Sequence, residues 1–403
     1  MTCTIPFSGS QTKTYFVEET TCGVTPTSPV WQQLRNTSGN LRLTKDSLQS
    51  AELTGTREVA DIRLGQNAVQ GDFSVELSYG TYRPWIKAAL GAFSEQGSST
   101  TSTFSFTATV VPGTNRFTRS TGTFVGTGVT VGGYIKIDGC VNAENNGLWR
   151  VVDFDALFIE VEDDAGVLVS ESATAGVDVY IGSAIVMSSD RNSFSIMTEY
   201  SRDGGVTKEY HLTTGCEVTG FTFDCSVNAL VTGTFNIIGR DYSVSATAPS
   251  GSTYTAPGVD APYASVDGLI LIDEAPIGYI TSMSFGIDNA ASPQYEIGND
   301  FAAFIEQGRG NTTMSLSSFF VDSTLFNKFV NEDELSVRLT LTSTDGLTQV
   351  HFPRVVLTSG APEVNGEGSI TQTFDAQALA PSTNTTPLTA RGLVSHYWTH
   401  IAL

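Results

Sequence analysis

Four histidines, five cysteines and a few runs of carboxylates are the residues whose type and spacing could support chemistry in this 403-residue chain. His211, His351, His396 and His400 have no serine or cysteine near them in a nucleophile setting such as G-x-S-x-G, so Ser-His or Cys-His catalysis is not encoded. His211 and His351 fall at similar places in two segments that resemble one another, which reads as a common structural position. His396 and His400, spaced i to i+4, could grip a metal from one helical face, but no third ligand is evident and a terminal arm is the better reading. The acidic runs Glu160, Glu162, Asp163, Asp164 and Glu332, Asp333, Glu334 lack calcium-loop spacing and read as exposed turns. Residues 126–133 are glycine-rich but lack the G-x-G-x-x-G register and the strand-to-helix setting that a dinucleotide needs. Cys3, Cys22, Cys140, Cys216 and Cys225 are odd in number and scattered without C-x-x-C spacing. They encode neither a disulfide framework nor a zinc knot and read as free buried thiols. No catalytic residue, metal ligand or cofactor is expected, and the chain is not expected to be an enzyme.

The charge balance narrows the partners further. Asp and Glu number 42 against 21 Lys and Arg, a formal net charge of −21. Tight sequence-independent binding to nucleic acid comes from cations that release phosphate counterions, so it is not expected, and anionic membranes are poor partners for the same reason. The N-terminal residues carry no cationic start or apolar run of signal-peptide length, and downstream apolar stretches are broken by Asp, Gly or Pro. A soluble protein made in a cytoplasm is the expectation, under which the glycosylation-like motifs at Asn36, Asn311 and Asn384 mean little.

The elements that must position whatever function remains are strands. Phe73, Val75, Leu77 and Tyr79 alternate with Asp72, Ser74, Glu76 and Ser78, the pattern of a strand with one face on a core and one in water. Phe221 to Val227, Val231 to Ile237, Met283 to Ile287 and Val337 to Leu341 repeat it. Two short helices interrupt: one beginning at Pro84 with Trp85, Ile86, Ala89 and Leu90 as its apolar stripe and Gly91 as its stop, and one within residues 320–330.

These strand-helix units look duplicated. Residues 71–90 align with 310–329 at an offset of 239, and residues 195–207 align with 336–348 at an offset of 141, each second segment reading as a hairpin around an Asp-Gly turn. The drop of 98 between the two offsets predicts an inserted module in the first copy. Its short strands and turns read as a small β-barrel. The expected organisation is residues 1–92 and 191–242 as a first unit, 93–190 as the insertion, 243–264 as a linker rich in Ser, Thr, Pro and Gly, 265–380 as a second unit, and 381–403 as a C-terminal arm. The expected fold class is mainly β: tandem β-sandwich or barrel domains, each with a short helix, plus the inserted small β-barrel domain.

The block from Val69 to Gly91, with Glu76-Leu-Ser-Tyr-Gly leading into the Pro84 helix and Ala89-Leu-Gly closing it, resembles the signature of the tail tube proteins, or major tail proteins, of long non-contractile-tailed (siphovirus-type) bacteriophages. Glu18 to Pro26 with Trp31, Tyr210 to Gly239, Phe352 to Leu357 and Gly366 to Ala376 are similar to the same family. The insertion is the departure, similar to the small decorating domains of some tail proteins and expected on the tube exterior.

The resemblance implies a structural virion protein that self-assembles into stacked rings, the conduit for genome delivery into a host bacterium. Neighbouring subunits would share one β-wall around a lumen, with loops or terminal arms tying ring to ring. Its partners would be further copies of itself, the tape measure protein, the tail terminator and tail-tip proteins, and double-stranded DNA as transient, non-adhering cargo. It would sit in the phage tail after assembly in the host cytoplasm, with no membrane anchoring. Two tube domains per chain would make a trimer suffice for a ring with pseudo-sixfold symmetry; without the duplication the alternative is a hexamer. Asp72 and Glu76 are candidate lumen-facing carboxylates, repelling DNA phosphate where cations would act as brakes. Lys45, Asp46, Glu52, Arg57, Glu58, Asp61 and Arg63 are expected on an extended inter-ring loop making charged contacts. Leu393, Tyr397, Trp398 and Ile401 make the C-terminal arm apolar enough to dock on a neighbour. The competing class is a virion adhesin or fibre protein whose β module binds host glycans.

Overall fold

Alternation of apolar and polar residues drives nearly every element in the computed structural model, which describes residues 6–402 apart from 53, 54, 56, 60, 92–103, 112, 113, 125–128, 130, 132, 164–167, 182, 188, 274, 277, 278, 365 and 381–396. The fold is mainly β, and among the described residues only two α-helices form, Arg83–Ala89 and Thr324–Val330. In Ile62–Glu76 the side chains of Val69, Phe73 and Val75 are buried while Gln70, Asp72, Ser74 and Glu76 line the other face. Pro84 fits the first turn of its helix, where a missing N–H costs nothing, and Gly91 ends the segment at φ 65°, a left-handed value glycine tolerates.

Two units share one strand order. In the first, Lys13–Glu18, Phe194–Arg202, Thr207–Ser226, Thr232–Gly239, Ile62–Glu76 and Arg42–Gln49 lie side by side, all antiparallel. In the second, Gly268–Ile272, Leu335–Thr342, Gly346–Glu363, Thr371–Ala378, Asn311–Phe319 and Ile280–Asp288 repeat that order. Each unit has one long strand that pairs with its hairpin partner along its first half and with the following strand along its second. Bulges mark the same places: between Phe194 and Ile196 in one hairpin and Leu335 and Val337 in the other, positions 141 apart.

The strand before each helix superposes differently from the sequence alignment. Gln70 and Thr313 occupy equivalent ladder positions, as do Val69 and Thr312, an offset of 243 where the sequence reading gives 239. A slip of four residues keeps every inward side chain inward, so a period of two cannot detect it. His211 and His351 are likewise not equivalent. His211 pairs with Thr198 whereas His351 pairs with Arg338, one position out of register, and side chains one residue apart point to opposite faces.

Between the first helix and its hairpin, the strands Phe104–Val111, Thr114–Arg119, Tyr134–Asp138, Gly147–Phe154, Phe158–Val161 and Glu171–Ile181 close on themselves as a six-stranded barrel. Phe117, Ile137, Val151, Ile159 and Val177 fill a core separate from the main one. Arg338, buried in the second unit's hairpin, holds Gln349 Oε1 at 3.1 Å and donates to the Val131 carbonyl of the barrel region at 2.8 Å. Ser183–Val186, inside the span read as insertion, pairs with Tyr397–Ala402 and places Ile185 in the main core. That core is continuous, taking side chains from both units.

The stretch read as a linker is closely held. Asp241–Ser245 pairs with Thr207–Ser226, Thr253–Thr255 lies parallel to Val30–Leu34, and the Trp31 indole donates to Ser252 Oγ at 2.9 Å.

Candidate functional site

The two units are welded where residues 220–226 of Thr207–Ser226 pair with residues 282–288 of Ile280–Asp288. The second half of each long strand, its three neighbours and the start of the arm strand thereby form one continuous sheet whose apolar face covers the core. Its other face is polar and hollowed, with a cavity of about 600 Å³ lined by residues such as Thr222, Asp224, Thr234, Ser284, Thr313 and Asp375.

Following the hydrogen-bonded register across this face gives rows with distinct chemistry. One row reads Glu76, Thr232, Asp224, Ser284, Ser315, Asp375, Ser359. The next reads Ser74, Thr234, Thr222, Gly286, Thr313, Gln377, and carries no charge. A third reads Asp72, Asn236, Gly220, Asp288, Asn311. Carboxylates therefore lie in two bands with a hydroxyl band between them, and none of these rows contains a lysine or arginine. Hydroxyls bridge neighbouring strands: Ser74 to Thr234 at 3.2 Å and Ser317 to Thr373 at 2.9 Å, while Ser359 Oγ donates to Asp375 Oδ2 at 2.8 Å.

Asp72 and Glu76, singled out from sequence, sit in these bands. Asp224, Asp288 and Asp375 were missed, although each stands at an outward position of an alternating strand (Phe223-Asp224-Cys225, Phe374-Asp375-Ala376), which is the signal that could have found them.

Of the seven charged residues expected on an inter-ring loop, Lys45, Asp46 and Arg63 lie on the paired strands of a β-ribbon and Glu52, Arg57, Glu58 and Asp61 on the connection at its tip. Arg42–Gln49 and the first part of Ile62–Glu76 pair beyond the edge of the sheet as an arm, and Lys45, Asp46, Glu52, Arg57, Glu58, Asp61 and Arg63 are exposed along it. At the C-terminus, Leu393 lies outside the described residues. Tyr397 and Trp398 stand on Tyr397–Ala402, which inserts between Ser183–Val186 and Gly346–Glu363 of its own chain, and Ile401 is buried there. The described end of the arm, Tyr397–Ala402, thus joins the sheet of its own subunit.

Among the described residues the remaining reactive side chains other than Cys22 are built into the structure, and Cys3 and His396 lie outside the described residues. His211 shares its Nδ1 with the Tyr242 hydroxyl and its Nε2 with Glu209 at 3.1 Å. Burial pushes the Cys216 and Cys225 thiols up, and pushes Cys140, with help from Glu171 and Asp138, to about 11; thiols so shifted stay protonated and unreactive at neutral pH. Cys22, read as buried, is exposed beside Arg240. Among the described residues no helix is long and apolar enough to cross a membrane.

A search of curated proteins finds no match to this chain. The family model for the phage tail tube protein, a structural and non-enzymatic virion component that builds a tube and meets other tail components, matches residues 9–378. With that match spanning both units, the insertion and the polar face, the chain belongs to the phage tail tube protein family.

Proposed function

We propose that three chains close a ring, that rings stack into the tail tube, and that the hollowed polar face is the wall past which the genome travels into the host. The observation that carries this reading is the junction inside the chain. Residues 220–226 meet 282–288 edge to edge, and the equivalent positions of the opposite units, residues 359–363 and 38–44, pair on one side only among the described residues. An unpaired edge on each side of a curved sheet is a hazard in a lone subunit and a joint in a ring.

Repeating the internal register places residue 363 opposite residue 40 of the next chain and 361 opposite 42. Leu41 and Leu43, half-buried in the lone chain, would then be covered at the joint, as Phe285 and Ile287 are at the internal one. Each chain supplies two wall units, so three chains give the six that pseudo-sixfold symmetry needs. The bands of carboxylate and hydroxyl fit a lumen that repels phosphate and offers no cation to arrest it. Subunits assemble in the host cytoplasm around a tape measure protein, and terminator and tip proteins finish the two ends.

Cryo-electron microscopy of purified tubes tests this directly. Threefold rings with eight wall strands from each chain are expected, and rings of six separate chains would overturn it.

A further inference from the structure

The two units are entered in the same way. Lys13 pairs with Glu199 and Leu269 with Thr340, which makes Lys13 and Leu269 equivalent positions of the two entering strands. The one-turn 3-10 helices before those strands, Gly9–Gln11 and Ser265–Asp267, stand at the same spacing, and so do Pro6 with Pro262 and Phe7 with Tyr263. The chain therefore carries two copies of a Pro-aromatic entry segment. Each aromatic ring meets the hairpin of its own unit: the Tyr263 hydroxyl lies 2.9 Å from Thr348 Oγ1, and the Arg202 guanidinium lies 5.1 Å from the centroid of the Phe7 ring.

Beyond the hairpin the two copies differ. Tyr263 also adds to the wall of the first unit: its N–H donates to Leu77 O at 2.8 Å and its carbonyl accepts from Val231 N–H at 2.9 Å, while Pro262 pairs with Ser78 and Ala264 with Leu230. Tyr263 is 2% exposed there, and Leu77 and Val231 beneath it are buried. The same place in the second unit is marked by the ladder, since Glu76 pairs with Thr232 as Phe319 does with Thr371. One residue further on, Phe320 N–H donates to Ile370 O at 2.9 Å as Leu77 N–H does to Val231 O. Among the described residues, however, no backbone group bonds to Phe320 O or to the Ile370 N–H. Phe320 is only half-buried, Val321 and Ile370 are exposed, and Phe7 is 38% exposed. The chain thus has an uncovered wall end in its second unit and an uncovered copy of the segment that closes such an end in its first.

We infer that Pro6 and Phe7 of one chain add to the second unit of the neighbouring chain in the same ring, with the Phe7 N–H on Phe320 O, the Phe7 carbonyl on the Ile370 N–H and the ring over the side chains exposed there. The inference rests on the ring reading above and gives its joint a second contact. Direction agrees with that reading. Within the chain, the segment entering the second unit docks on the first unit, whose residues 220–226 also pair with residues 282–288 of the second. Repeating this between chains sends Phe7 to the same neighbour whose residues 359–363 meet residues 38–44. Backbone bonds at an open strand end give affinity whatever the side chains, and an aromatic ring adds a large buried apolar area. Closing the joint would otherwise shut the Phe320 carbonyl and the Ile370 N–H away from water without partners.

A disulfide across the contact tests it. The internal pair of Ala264 with Leu230 corresponds to Ser8 of one chain with Ser369 of the next, both exposed in the lone subunit, and cross-strand pairs of this kind lie within disulfide reach. Tubes of the full chain carrying Ser8→Cys and Ser369→Cys, mildly oxidised, should run on non-reducing gels as linked dimers and trimers, with each single variant running as wild type. Tubes that yield no linked chains would overturn the inference. So would ladders running past three chains from threefold rings, because they would place the segment between rings. Phe7→Asp is the second reading: the unassembled subunit should keep its circular dichroism and melting, while tube formation should need about tenfold more protein, the scale of losing a buried interface aromatic. An unchanged threshold would overturn the seating of Phe7. Rings of six chains with ladders reaching six would instead strike the count of three in the ring reading and leave this contact standing.

Discussion

The first and second units share their pairing order and the placing of their hairpin bulges, yet they differ in every connection. Between the two strands at the wall edge, the first unit extends the exposed arm, while the second folds residues 289–310 back through a small hairpin of Ser292–Gln294 with Phe304–Glu306. After its helix, the second unit reaches the next strand in five residues, from Val330 to Leu335; the first takes 105, from Ala89 to Phe194, and spends most of them on the barrel. Ladder pairing tolerates no such freedom, because one residue of slip would turn a core face to water. Connections at rims and outer surfaces tolerate it easily, since the entropy of a longer loop grows only with the logarithm of its length.

The helices sharpen the contrast. In the first unit Trp85, Ile86, Ala88 and Ala89 are buried, and the Trp85 ring stacks on Phe194 at 5.9 Å and meets Phe16, Phe73 and Phe235 edge-on at 5.4 to 5.8 Å. In the second only Leu325 is buried, with Phe326 and Phe329 partly covered. Trp85→Ala should therefore cost about 4 kcal/mol and Leu325→Ala about 2, by the usual spread for large-to-small core changes. Chemical denaturation of the two variants measures this, and equal losses would break the asymmetry.

Much of this was legible in the sequence. Alternation at Phe73, Val75 and Leu77, the Pro84 helix and the Asp-Gly hairpins depend on local periods and turn chemistry, which a single chain displays openly. The insertion was visible as a change of offset. What could not be read is what depends on distant partners. The register of the duplicated strand needed its neighbours, and the C-terminal strand read as an arm apolar enough to dock on a neighbour because its partners, Ser183–Val186 and Gly346–Glu363, lie elsewhere in the chain. The carboxylate bands were only partly found, since Asp224 and Asp375 fall in one row with Glu76 through cross-strand pairing rather than through sequence.

The units also meet through Arg338, which belongs to the second unit but holds the barrel inserted in the first. Its guanidinium is buried against Gln349, and Gln349 Nε2 in turn donates to Thr340 Oγ1 at 3.0 Å. Arg338→Ala removes the donor that reaches Val131 O and the buried bond to Gln349 Oε1, a loss of about 1–3 kcal/mol. Limited proteolysis should then cut between the barrel and the wall units sooner than in wild type, while the first-unit hairpin keeps its protection. Unchanged cleavage would mean that the barrel is positioned independently of the second unit.

The smallest expected effect separates the barrel from the wall by pH. Burial works against the charge on Glu171, but hydrogen bonds from the Thr174 hydroxyl, the Val141 and Asn142 N–H groups and the Asn145 amide overcome it and hold the carboxyl at about 2. A carboxylate depressed below its ordinary value near 4.5 stabilises the fold above that value, and the contribution drains away as pH falls toward 2. The segment it secures is the loop of residues 138–146, whose Asn145 carbonyl also accepts the Trp149 indole N–H at 3.0 Å. Hydrogen exchange should show this loop losing protection between pH 4.5 and 2 ahead of the wall strands. In Glu171→Gln, which offers one carbonyl oxygen where the carboxylate offers two, protection should already be reduced at pH 7 and should change little with acid. Identical acid profiles for the variant and wild type would show that the loop is held by its other contacts, leaving the barrel no more acid-sensitive than the wall.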